Sequence, residues 1–297
     1  MKQLFAALLL WLPLSAHAAL NVFACEPEWG ALAREIGGDA VKVYTATTAM
    51  QDPHRIEARP SLIAQTRRAG LVVCTGAELE VGWLPLLLRE SGNAAVQPGR
   101  PGYFEAARHV PMLDKPARVD RAQGDVHAAG NPHIQTDPRN LARVGAALAQ
   151  RLGEVDPAHA AAYQARWKAF SVRWEAAIAR WQQQAAPLKG MPVAVQHKSF
   201  SYLINWLGLR EVATLEPKPG VEPSLGYLAE VAARLKTSPA RMVLRAAYQS
   251  PRASEWLAQR ADIPVVALPF TVGGAPGTED LFGLFDVTLT ELLKAAQ

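Results

Sequence analysis

One stretch limits the folds open to this chain more than any other. From Pro157 to Ala186, Tyr163, Trp167, Phe170, Trp174, Ile178 and Trp181 recur at spacings of three and four, which sets them on one face of a single long helix. Asp156 is the expected cap, Pro157 suits the first turn, and Pro187 with Gly190 ends it. At 1.5 Å per residue such a helix runs roughly 45 Å. Its aromatic stripe reads as a buried core face, not as a stacking platform for sugars or bases.

On each side of this helix, short apolar strands alternate with helices. Before it come a strand over Leu20 to Ala24 and a helix over Trp29 to Ile36, closed by Gly37-Gly38. A β-branched strand over Val41 to Ala46, a helix over Ser61 to Arg68 with Ser61 as cap, a strand over Gly70 to Val73 and a helix around Val81 to Arg89 follow. After it the alternation restarts, with strands at Val193 to Gln196, Glu211 to Leu215, Met242 to Ala246 and Val265 to Pro269. Helices fall at Ser199 to Leu207, Leu225 to Leu235, Ser250 to Ala261 and Leu281 to Ala295. Such alternation predicts parallel sheets covered on both faces. The expected fold is α/β: two α/β lobes with parallel sheets, residues 19–155 and 188–297, linked by one long rigid helix over 156–187. Between Ala95 and Gly130 prolines and glycines break the pattern, which reads as a long loop with some strand in it.

The first residues point to export. Lys2 gives a positive start, Leu4 to Leu14 an apolar core and Ala16-His17-Ala18 an A-x-A cleavage site. Residues 1–18 therefore read as a cleavable signal peptide, too short to span a bilayer. The mature chain is expected to begin at Ala19 in the periplasm, with no Cys at the cleavage point to carry a lipid. An apolar fraction of 49% and a charged fraction of 20% are those of a globular protein. The net charge of +4 is small and the arginines are scattered among acids, so no nucleic-acid partner is expected. Cys25 and Cys74 each close a predicted strand, and in an oxidising compartment such a pair readily forms a disulfide. Soft metal ligands and unpaired buried thiols are the other readings.

His54, His133 and His197 carry the chemistry. His54 sits in Gln51-Asp52-Pro53-His54, in a loop stiffened by Pro53 and Pro60. His133 follows Asn131-Pro132 and precedes a helix start at Asp137-Pro138, and His197 ends the apolar run from Pro192 to Gln196. Open α/β sheets bind ligands beyond the carboxyl ends of their strands, and a neighbouring Pro reduces the entropy lost in fixing a ligand. Three imidazoles form a tridentate set for a transition metal, with one tetrahedral position open. Two come from the first lobe and one from the second, so the metal site is expected in the interlobe cleft. Binding needs neutral imidazoles and should weaken as pH falls through about 6.5. His159 is expected to face outward. His109 and His127 read as loop histidines, with metal capture by His127 as the alternative.

With these residues in place, the mature chain resembles the periplasmic substrate-binding proteins of metal ABC importers, in the zinc and manganese group. The likeness covers essentially the whole mature chain. It rests on Asp52-Pro53-His54 with Pro60-Ser61, and on Asn131-Pro132-His133 with Asp137-Pro138. His197 with Phe200, Tyr202 and Gly208-Leu209, then Glu222-Pro223-Ser224, complete the series. The resemblance implies a binding protein, not an enzyme, that captures Zn2+ or a related divalent ion and delivers it to the membrane permease of an ABC importer. A monomer is expected.

The departures bear on the metal. Gln135-Thr136 stand where many relatives have Trp-Leu, and Lys198 where many have an acid. The usual fourth ligand, an Asp shortly after the last strand, falls at or near Val272 here. Water or His127 would then complete the site, or a carboxylate such as Glu279 or Asp280. Manganese prefers oxygen-rich sites, so loss of that carboxylate favours Zn2+ over Mn2+. The rival reading is a secreted zinc hydrolase using the same three histidines, with Glu57 as base. Against it, the sequence has no His-Glu-x-x-His helix, and no acidic residue marks itself as orienting a histidine.

Overall fold

The computed structural model describes residues 18–118 and 124–297; all of the expected signal peptide except Ala18 lies outside them. Two four-stranded sheets share one strand order. β1 (Leu20–Ala24), β2 (Val41–Thr45), β3 (Leu71–Cys74) and β4 (Tyr103–Glu105) lie as β2-β1-β3-β4. β5 (Pro192–Val195), β6 (Arg210–Thr214), β7 (Met242–Ala246) and β8 (Val265–Leu268) lie as β6-β5-β7-β8. Every neighbouring pair is parallel, as the alternation predicts.

Strand periodicity then decides which helices each face receives. Val22, Ala24, Leu71 and Val73 face one core, while Phe23, Cys25, Val72 and Cys74 face another, under α2 (Pro60–Arg68) and α3 (Leu84–Ser91). In the second sheet Val193, Val195, Met242 and Leu244 face the first core again. After β5 comes the short α6 (Ser201–Leu207), while Ala194 and Val243 pack instead beneath α7 (Leu225–Leu235) and α8 (Arg252–Ala261). One apolar core thus runs through both lobes.

The long helix fills that shared core. α5 (Ala160–Gln184) packs on α1 (Pro27–Gly37) and α4 (Pro138–Val155) on one side and on α9 (Leu281–Ala296) on the other. Tyr163, Phe170, Trp174 and Trp181 of the stripe are fully buried, and Trp167 and Ile178 are partly so. The indole N–H groups find partners at both ends: Trp174 donates to the Pro138 carbonyl (2.8 Å) and Trp181 to Asp286 (2.6 Å). Fully burying one such ring contributes roughly 1.5–3 kcal/mol, so the stripe helps tie the lobes together.

Three details differ from the sequence reading. The linking helix begins late, because Pro157–His159 form a 3-10 turn and Asp156 accepts from His159 Nδ1 (2.8 Å) and Tyr163 (2.5 Å) instead of capping. At 25 residues α5 is roughly 37 Å long. α2 starts at Pro60 with Arg59 before it, so Ser61 lies inside the first turn and does not cap. Two other readings hold: the strand expected within the 95–130 loop is β4, paired to β3, and Asp137-Pro138 opens the 18-residue α4, with Asp137 accepting from the Arg139 amide (2.9 Å).

Cys25 and Cys74 form a disulfide, with their Cα atoms 4.8 Å apart. It joins the carboxyl ends of β1 and β3, which are neighbours in register with Ala24 opposite Val73. No helix of the described residues is long and apolar enough to cross a membrane.

Candidate metal centre

Three loops at the carboxyl ends of the strands converge between the lobes. His54 lies between β2 and α2, in a loop held by the Trp83 indole, which donates to the Pro53 carbonyl (2.9 Å). His133 sits where the chain enters α4, and His197 immediately follows Gln196 at the end of β5. One nitrogen from each ring can be chosen so that all three lie within 4.8 Å of one another. His133 and His197 are buried and His54 is partly buried. The two α/β lobes therefore contribute two rings and one, as the sequence suggests.

Geometry around the rings favours metal coordination. His133 Nε2 and His197 Nε2 are 3.2 Å apart. A tetrahedral zinc with bonds of about 2.05 Å has donor–donor edges of roughly 3.3 Å, so the two nitrogens already sit near the spacing of shared ligands. His54 Nε2 is buried and has no hydrogen-bond partner, the kind of orphaned polar atom that a cation would satisfy.

Two carboxylates fix the rings from behind. Asp52 Oδ1 accepts from His54 Nδ1 (2.8 Å) and from the His54 amide (3.0 Å). Glu216 Oε2 accepts from His197 Nδ1 (2.7 Å) and from the Gly220 amide (2.7 Å). A proton held on Nδ1 leaves Nε2 bare and aimed inward, the arrangement that orients metal-binding imidazoles. Here the sequence reading is corrected, since it found no acid orienting a histidine. Asp52 was visible only as part of a motif. Glu216 is 19 residues from His197 and comes beside it because β6 pairs with β5.

A further link runs between the His133 and His197 loops. Asn131 accepts from the His133 amide (2.9 Å), and its own amide group donates to the Lys198 carbonyl (2.8 Å) and Ser201 (3.1 Å). Tyr202 donates to the Asn131 carbonyl (2.8 Å). Lys198 therefore acts at the site through its backbone.

Burial, reinforced by the neighbouring His54, His197 and His127 rings, holds His133 well below the usual imidazole range. Burial and then His54 bring His127 down to about 4. Both are neutral donors at ordinary pH. Burial raises Asp52, but the hydrogen bonds from His54 outweigh it and hold the carboxyl below its usual value.

His127 faces the centre, with its ring 5.4 Å from that of His54. His109 stacks on Phe104 (4.8 Å), and His159 pairs with Asp156. Asp280 caps α9 through the Gly283 amide (2.7 Å), Glu279 accepts from the Gly277 amide (3.1 Å), and Val272 packs against the core. Glu57 is exposed.

The sequence profile of the ZnuA family, the periplasmic component A of a zinc-uptake complex, matches residues 22–295. The chain belongs to this family. It comprises substrate-binding components of zinc and manganese ABC transporters, and its members are transport proteins. The ZnuA-family chain is 25% identical over 155 residues to the manganese ABC transporter substrate-binding lipoprotein scaA of Streptococcus gordonii, covering 52% of this chain and 48% of that protein. It is 27% identical over 105 residues to the high-affinity zinc uptake system protein ZnuA of Brucella abortus, covering 35% and 31%. The chain thus spans about half the length, or less, of these curated relatives. A crystal structure of ZnuA superposes with a TM-score of 0.77 at 23% identity, over 94% of this chain and all of that one. A manganese-bound periplasmic metal-binding protein from Candidatus Liberibacter asiaticus gives 0.75 at 15%, over the same shares. These neighbours share the two-lobed fold.

Proposed function

We propose that this chain captures zinc in the periplasm and hands it to the membrane permease of an ABC importer, with His54, His133 and His197 as ligands. The observation that carries the reading is the convergence of three imidazole nitrogens from two lobes, two of them oriented by carboxylates on their far sides. Nitrogen donors favour zinc over manganese.

A cavity of about 220 Å³ leads to His54 and His197 past Asp52, Asp125, Glu216 and Glu222. Carboxylates along such a cleft raise the local concentration of cations and speed their capture. Ligands divided between lobes also let a permease loosen the site by moving one lobe against the other. The hydrolase reading gains no support at the rings, because Glu57, its named base, is exposed and both carboxylates at the rings are engaged in holding them. We assign no catalytic role, and a monomer suffices for capture and delivery.

Metal analysis of protein purified without chelator, repeated on His54→Ala, His133→Ala and His197→Ala, tests the proposal. One zinc per chain is expected in the parent and loss of it in each variant. Unchanged zinc in all three would falsify the assignment.

A further inference from the structure

Three imidazoles leave a tetrahedral zinc one donor short. Asp52 and Glu216 are held by the rings they orient, and Asp280 and Glu279 by backbone amides. We infer that His127 is the fourth ligand, carried over the site by a strap, residues 124–130, that is fastened to both lobes. The inference rests on the zinc reading above and adds to it the residue that completes and closes the site.

Ring spacing is the first ground. The three pairs among His54, His133 and His197 have centroids 5.3, 6.0 and 5.3 Å apart, and His127 stands 5.4 Å from His54. It keeps the same distance from its neighbour as the other rings keep from one another. His127 also lines, with His133 and His197, a cavity of about 300 Å³.

The fastening of the strap is the second. On the N-terminal side, the Ala128 amide donates to Glu78 (2.9 Å). On the C-terminal side, the Asp125 amide donates to the Pro219 carbonyl (2.9 Å). Strap and C-terminal loop meet through two glycines with positive φ: a Cβ at Gly124 would collide with the Pro219 carbonyl oxygen, and one at Gly220 with the Asp125 carboxylate. The Gly220 amide donates to Glu216, which holds His197, and the Gly220 carbonyl accepts from Arg55 Nη2 (3.2 Å) near His54. The strap that bears His127 is thus packed onto the same loop that steadies a ligand. Between these anchors, a turn in which the Gly130 amide donates to the His127 carbonyl (3.1 Å) presents the ring.

X-ray absorption spectroscopy of the zinc-loaded full-length protein, with competitive zinc titration, tests this on the parent, His127→Ala and His127→Asp. The parent is expected to show four nitrogen donors. His127→Ala should keep one zinc per chain, with three nitrogens and one oxygen, and lose at least ~10-fold in affinity, the lower end of what removing even an outer-shell partner costs. His127→Asp should recover affinity with an oxygen donor in place of one nitrogen. Three nitrogens and an oxygen in the parent, unchanged affinity in His127→Ala, or a His127→Asp no better than the Ala variant would each overturn the strap while zinc bound by the three histidines stands. A parent that binds no zinc would overturn both readings.

Discussion

The two lobes share one topology but use it differently. In each, a central strand runs to its carboxyl end beside a neighbour on either side, the place where the strand order reverses and where open sheets hold ligands. In the C-terminal lobe that end is Gln196-His197, a proposed ligand. In the N-terminal lobe it is Cys25-Glu26, where a disulfide bridges the switch point to β3 and the buried carboxyls of Glu26 and Glu80 fill the space beyond. The roles of the outer loops are exchanged as well. The loop after β2 bears the proposed ligand His54, and the segment after β6 bears Glu216, which supports His197. One lobe closes its crevice and offers His54 and His133 from beside it; the other leaves its crevice open for the proposed metal.

If this division is right, breaking the bridge should harm the fold and spare the site. Cys25→Ala with Cys74→Ala opens a loop of 49 residues, which by loop entropy costs about 4 kcal/mol of stability. Denaturant unfolding should show that loss, while zinc affinity at a temperature where the variant stays folded should be unchanged. A parallel fall in affinity would place the N-terminal switch point inside the metal site and erase the contrast.

A second contrast lies in the buried acids. Glu26, Glu28 and Glu80 are almost completely buried in the N-terminal lobe, and no carboxylate among the described residues of the C-terminal lobe is. Burial pushes Glu80 up to about 7, although hydrogen bonds with Glu26 and from the Thr75 and Gly76 amides pull the other way. Glu26 lies well above its usual range through burial and the nearby Glu80 and Glu28, and a hydrogen bond between the Glu26 and Glu80 carboxyls requires a proton on one of them. Because the folded values are raised, this contribution to stability is present in full below about pH 4.5 and is lost as pH rises through 7. A shift from 4.5 to about 7 amounts to about 3 kcal/mol. Glu80→Gln, whose amide can donate toward Glu26 at any pH, should flatten the stability profile across that window. A profile with the same slope as the parent would show that the acids do not hold their protons.

Much of this division could be read from the chain, and the rest could not for physical reasons. Short β-branched strands and the aromatic stripe from Tyr163 to Trp181 identify themselves by period, and each ligating candidate stands beside a proline or at a strand end. β4, with three residues, is too short for period two to register. Asp156 looked like a cap because side-chain competition from Tyr163 and His159 is invisible along the chain. Glu216 reaches His197 only through sheet pairing, and a glutamate such as Glu80 gives no linear sign of burial. His127 falls in a stretch without periodicity, so its place over the site emerges only when Glu78 and Pro219 are seen to anchor its neighbours.

The smallest expected effect concerns the two supporting carboxylates, and it tests whether the lobes also differ in how firmly they hold a ligand. Asp52 reaches a ring two residues away, its side chain is 36% exposed, and the His54 loop keeps an independent brace in the bond from Trp83 to Pro53. Glu216 is 13% exposed, reaches across 19 residues, and grips Gly220, whose carbonyl accepts Arg55 from the other lobe. Removing Glu216 therefore frees a ring and a loop together, whereas removing Asp52 frees a ring alone. Loss of a partner behind a metal ligand costs on the order of 10–100-fold in affinity. Glu216→Ala should fall near the upper end and Asp52→Ala near the lower in calorimetric zinc titrations. Glu216→Gln should recover part of the loss, since its carbonyl oxygen still accepts the Nδ1 proton of His197. Equal losses at the two positions would mean that both lobes hold their ligands alike, and that the asymmetry ends at the strand termini.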